Sequence, residues 1–195
     1  MRIAERLALI ARMSVVTIVI STTIAGCMPD PALLVDQMKE YIPEATQFII
    51  DHDENLVLLR GVQSRTSDLY YYFFMSGTHS RAYVEQYRGD GSSRKDKIVE
   101  TSIPLFEWSE FHFSESERDA ILSIMATLDE TNDFGAEIFL TPRGVDILYK
   151  HQLYDGRSVT LYIHSYQRVN YPSSTFHQEQ VNDNWWVVIN FMHRA

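Results

Sequence analysis

Apolar positions along the 195 residues change their spacing twice. An uncharged run rich in Val, Ile and Thr covers 13–24, directly behind Arg2, Arg6 and Arg12. From Ala32 the apolar residues step by fours and threes through Leu34, Met38, Tyr41, Ala45, Phe48, His52, Leu56 and Leu59. That spacing sets them on one face of a helix. Pro43 interrupts it, and the residue before a proline avoids helical dihedrals. The pattern predicts one kinked helix or two helices, broken near 41–43 and ending at Arg60-Gly61, where glycine can cap.

Beyond Gly61 the period shortens. "LYYYFFM" at 69–75 is apolar on both alternating faces and rich in aromatics, which predicts a strand buried on both sides. "SGTH" reads as a turn, 81–88 as the return strand, 89–97 as a polar loop and 98–103 as a further strand. "SESE" at 114–117 has the Ser-to-Glu spacing of a capping box. Ile121, Met125 and Leu128 continue it as a helix over 115–131. Four strands follow, at 137–141, 145–153, 158–167 and 184–192, with "TPRG" as the turn between the first two. The expected class is α+β: an N-terminal helix or kinked helix pair, one further helix near 115–131, and a mainly antiparallel sheet.

Facial polarity makes a sharper prediction for the hairpin at 145–163. A two-residue turn at Asp155-Gly156 would pair Lys150 with Leu161 and bury Lys150 and Gln152 among aliphatics, at a large desolvation cost. A three-residue loop, 154–156, pairs Leu153 with Arg157, His151 with Val159, Tyr149 with Leu161 and Ile147 with Ile163. One face is then apolar throughout, and a buried face selects the register. Gly156 would be left-handed in a bulge. His151 would face the core and His164 the wetter side, so the two could not share a site.

The first 27 residues carry a different message. A positive leader, a short apolar core and the small residues Ala25 and Gly26 describe a secretory signal. The uncharged run is shorter than the roughly 20 residues that span a bilayer. An uncleaved membrane helix would begin near Leu7 and hold Arg12, at roughly 2.5–3.5 kcal/mol if central. "IAGC", Ile24-Ala25-Gly26-Cys27, resembles the lipobox of bacterial lipoproteins. The resemblance implies that the chain is cut before Cys27, whose thiol carries diacylglycerol. The expected organisation is a signal peptide over 1–26, a lipidated N-terminus and short tether over 27–32, and a single domain over 33–195. Each buried methylene contributes about 0.8 kcal/mol, so two or three acyl chains hold far better than one. The expected place is the cell membrane or an outer membrane, lipid-anchored, on the exported side of the cytoplasmic membrane.

Cys27 is the only cysteine. If lipidated, it leaves no thiol for a disulfide, a zinc site or a nucleophile. The first 26 residues hold three Arg and one Glu, so the remaining 14 basic and 25 acidic residues carry a formal net charge of about −11. Such a surface repels phosphate backbones and anionic headgroups. Nucleic acid is not an expected partner, and lipid rather than charge would hold the protein at a membrane.

Few residues form a pattern that carries chemistry. "DHDE" at 51–54 crowds oxygen and imidazole ligands, but four neighbours fan around a helix instead of converging. Position six counted from Asp51 is Leu56, where a calcium loop needs Gly. No HExxH, GxSxG or glycine-rich phosphate loop occurs. Glu107 and Glu110 flank Trp108 in "FEWSEF", an arrangement that would suit a sugar-cleaving site. Of Trp185 and Trp186, neighbours on one strand, at most one is deeply buried if the other face is wet. "RGD" at 88–90 is read as a turn. No catalytic, metal-ligating or cofactor-binding residue is assigned. The expected function is noncatalytic: an envelope lipoprotein whose domain binds a protein or an envelope glycan. The alternative is a lipid-anchored hydrolase of envelope carbohydrate.

Overall fold

The computed structural model describes residues 31–65, 68–87, 95–154, 157–166 and 175–193. Contacts divide the chain into Met1–Leu34 and Val35–Ala195. Of the first unit only 31–34 are described, the opening turn of helix α1 (Pro31–Lys39). Proline suits a helix start because its missing N–H would have no partner there.

The second unit is α+β. Helices α2 (Ile42–Asp51) and α3 (Asp53–Arg65) follow α1. The expected break lies at Tyr41, which precedes α2, with Pro43 in the first turn. A second break, not foreseen, falls at His52, whose dihedrals (φ −111°, ψ 17°) leave the helix while its ring rests on Phe48 at 4.4 Å. Gly61 does not cap. The helix runs on to Arg65 because Val62 extends the buried row of Leu56 and Leu59, and Gln63 Nε2 donates to the Pro142 carbonyl at 2.9 Å.

Eight strands form one antiparallel sheet: β1 (Leu69–Ser76), β2 (His79–Tyr87), β3 (Lys95–Thr101), β4 (Ala136–Thr141), β5 (Gly144–Tyr154), β6 (Arg157–His164), β7 (Thr175–Asn182) and β8 (Trp185–His193). Their order is β3-β2-β1-β4-β5-β6-β8-β7. Between β3 and β4 lie a 3-10 turn (Ile103–Leu105), an aromatic loop and helix α4 (Glu115–Thr131). The capping box at Ser114 and Glu117 forms in both directions, as the sequence predicts.

Register shows which side chains share the core face. Phe73 pairs with Ala82 and Ile138, Ile138 with Ile147, Ile147 with Ile163, and Ile163 with Val187. All six are fully buried. Helices α3 and α4 pack on this face, since on the other side of β1 and β4 the residues Tyr72, Phe74, Glu137 and Phe139 stay half-exposed. The stretch at 69–75 is therefore buried on one face and partly covered on the other, not buried on both. Its outer aromatics cover each other, with Tyr72 against Tyr83 at 4.6 Å and Phe139 at 4.5 Å. Trp185 is fully buried and Trp186 half-buried, as their adjacency requires.

Three boundaries differ from expectation. β3 begins at Lys95 and ends at Thr101, with Ile98 skipped at a bulge opposite Val84 and Glu85. β7 has no apolar alternation to reveal it; as an edge strand it needs none. The hairpin of β5 and β6 takes the register that facial polarity disfavoured. Tyr154 pairs with Arg157, Gln152 with Val159, His151 with Thr160 and Lys150 with Leu161. This is the register that a two-residue Asp-Gly turn predicts; residues 155–156, and with them the conformation of Gly156, lie outside the described residues. A bulge at Tyr149 then restores the apolar register, so that Ile147 meets Ile163 as expected. Lys150 escapes the assumed desolvation cost. It reaches out of the sheet to donate to the Thr131 carbonyl at 2.7 Å and to lie over the Tyr41 ring at 5.1 Å.

Candidate functional site

A cleft of about 330 Å³ opens where the end of α1, the loop after α4 and the far end of β5 come together. That is the small end of the roughly 300–1,000 Å³ typical of ligand pockets. Tyr41 supplies a ring from the α1–α2 junction. The loop after α4 supplies Asn132, Asp133 and Phe134, and β5 supplies Lys150, His151 and Gln152. The loop is fixed by Gly135, whose φ of +85° closes a turn in which its N–H donates to the Asn132 carbonyl at 3.2 Å. An added Cβ there would lie 2.2 Å from the Met75 carbonyl oxygen, so glycine is required.

Phe134 and His151 contact each other in the wall. Phe134 stands edge-on to His151 at 5.1 Å, and His151 Nδ1 shares a hydrogen bond with the Thr160 hydroxyl at 3.1 Å. Phe134 nevertheless leaves 46% of its surface exposed, high for a large apolar ring. Asn132 is nine-tenths buried, and its side-chain amide nitrogen has no hydrogen-bond partner among the described residues. Leaving such a donor unsatisfied costs about 1–3 kcal/mol. None of Asn132, Phe134 or Tyr41 stands out in the sequence as a site residue. The legible signal was "TNDFG", an aromatic set in a polar turn just past a helix end.

A second cleft, about 460 Å³, is lined by Val62, Arg65, Tyr71, Gln86, Phe111 and His112 among others. Its one guanidinium is already engaged: Arg65 pairs with Glu117 at 2.7 Å and donates to the His112 carbonyl at 3.4 Å. His112 is left-handed at φ 63°. Beside this cleft, Trp108 stacks flat on Phe73 (5.3 Å, 6°) within a cluster that includes Phe106 and Phe113. Trp108 is thus half-buried, held against this cluster at the margin of the core. Glu107 and Glu110 are exposed and line neither cleft, so these two carboxylates do not converge on a substrate there.

The remaining sequence candidates separate. His52 is half-buried at the helix break, and burial lowers its pKa while the neighbouring Asp51 charge opposes this. Among the described residues, no three His, Cys, Asp or Glu side chains gather where a metal ion could be held. His151 and His164 lie on the same face of the sheet, not on opposite faces, because the strand register places His151 opposite Thr160. They still do not meet: Thr160 and His164 are four residues apart, about 13 Å along a strand. His164, fully buried, instead pairs through Nδ1 with Asp146, whose other carboxylate oxygen accepts from the Tyr166 hydroxyl at 3.1 Å. Tyr162 and Tyr166 flank the imidazole. Cys27 and the RGD tripeptide lie outside the described residues. No helix among the described residues is long and apolar enough to cross a membrane.

No protein-family model matches the chain, and no curated protein or solved structure is significantly similar to it.

Proposed function

We propose that the chain is a bacterial envelope lipoprotein, held at a membrane by lipid on Cys27, with a noncatalytic α+β domain that binds an envelope protein or glycan. One observation carries the reading: Ile24-Ala25-Gly26-Cys27 closes an uncharged run that follows Arg2, Arg6 and Arg12. The tether would be short, since α1 starts at Pro31 and four residues span at most about 14 Å when extended. The binding role is supported by the cleft at Tyr41, Asn132 and Phe134, which combines an exposed ring with amide groups. Affinity capture with the lipidated chain from detergent-solubilised envelopes tests the binding role. Reproducible recovery of a protein or glycan is the expected result. Recovery of neither would overturn it.

A further inference from the structure

The cleft lining narrows the ligand class. Glu40, Asp133 and Lys150 are its charged residues. The Lys150 ammonium already donates to the Thr131 carbonyl and lies over the Tyr41 ring, and the carboxylates of Glu40 and Asp133 outnumber it in the lining, which disfavours an anion. The amides of Gln37, Asn132 and Gln152 present donors and acceptors together. Phe134, edge-on to His151, adds an exposed aromatic surface. A ligand that complements this set needs hydroxyls that both donate and accept, an apolar C–H face to lie on an aromatic ring, no negative charge, and small size.

From these features, resting on the binding role proposed above, we infer that the cleft receives one neutral sugar residue of a glycan. Its C–H face lies on Phe134, and a hydroxyl accepts from the otherwise unpartnered Asn132 amide after a small rotation of that side chain. Aromatic contact with an apolar ligand face and hydrogen bonding by a few placed polar groups are the usual division of labour in small-ligand sites. A buried donor without a partner among the described residues has a specific reason to favour a ligand that satisfies it.

The test uses the full chain in detergent on an array of neutral mono- to tetrasaccharides, N-acetylated hexoses included, with the best binder then titrated by calorimetry. Saturable binding is expected. Phe134→Ala should weaken it tenfold or more, Phe134→Tyr should retain most of it, and Asn132→Ala should weaken it at least fivefold. Leu105→Ala, at a remote exposed residue, serves as control and should leave it unchanged. Phe134 is exposed, so its variants keep the fold and decide the matter even if Asn132→Ala melts early. Absence of binding to every neutral sugar, or binding that survives Phe134→Ala, would overturn the inference. Capture of a protein partner with no sugar bound would overturn this inference alone and leave the lipid-anchored binding role standing. Sugar binding by a chain whose Cys27 proves unmodified would remove the anchor and leave the cleft.

Discussion

Glu117 links three elements, and removing its carboxylate should expose how much that junction contributes. Its Oε2 accepts from the Ser114 backbone N–H at 2.8 Å, and its own N–H donates to Ser114 Oγ at 3.2 Å. Its Oε1 accepts from Arg65 of α3 at 2.7 Å. Loss of a capping interaction costs about 1 kcal/mol. The Arg65 pair adds no more than about 1 kcal/mol, because the Arg65 side chain is 53% exposed and solvent screens it. Glu117→Ala should therefore destabilise the fold by about 1–2 kcal/mol. For a domain of this size that lowers Tm by about 2–8 °C. Glu117→Gln keeps a partner for the Ser114 N–H but loses the charge, so its cost should be about half. Burial raises the Glu117 pKa, but hydrogen bonds from Arg65 and Ser114, with the Arg65 charge, outweigh it and leave the pKa below its ordinary value. A depressed carboxyl stabilises the folded state above the unfolded pKa, and that contribution is lost as pH falls through the folded value. The gap between wild type and Glu117→Gln should be widest at pH 7 and shrink as pH falls below the ordinary Glu value of about 4.3. Melts followed by circular dichroism over pH 3.5–7.5 measure it. A gap that is absent at pH 7, or that does not change with pH, would refute the reasoning.

Further expectations follow from the same geometry. Glu137 is half-buried beside Tyr72 on the outer face, and its partial burial raises its pKa despite the hydrogen bond from Tyr72. A raised carboxyl favours the fold below its unfolded pKa and loses that stabilisation as pH rises through the folded value. Glu137→Gln should thus raise Tm at pH 7, with the gain shrinking toward pH 4; a lower Tm at pH 7 would contradict this. Gly135→Ala should cost roughly 2–4 kcal/mol, because the site is left-handed and the added carbon strikes the Met75 carbonyl. Gly61→Ala, inside α3 with open space around it, should add about 0.5–1 kcal/mol; chemical denaturation of the two variants should move the midpoint in opposite directions.

Elements with a local code were legible in the sequence. The capping box fixed both the start and the face of α4, and Pro43 marked the break at Tyr41. The fold class followed, since the period changed from helical to alternating. Interactions that close over distance were not legible. β7 pairs with a strand that follows it and exposes its polar edge, so nothing in its composition distinguished it from a loop. Facial polarity predicts a different β5–β6 register because it counts the burial of Lys150 as a cost of the sheet alone. The carbonyl of Thr131 and the ring of Tyr41, distant in sequence, relieve it, and the bulge at Tyr149 lets turn chemistry and facial polarity each prevail over part of the hairpin. The cleft was hidden for the same reason. Tyr41, Asn132 and His151 come from three separate segments, and only the fold brings them together.

The anchor is tested most directly by the mass of the mature N-terminal peptide, taken from protein purified out of native membranes. Lipidation at Cys27 predicts that no peptide from 1–26 remains and that the first residue is Cys27 carrying diacylglycerol. Detection of an intact Met1, or of Cys27 with a free thiol, would contradict it.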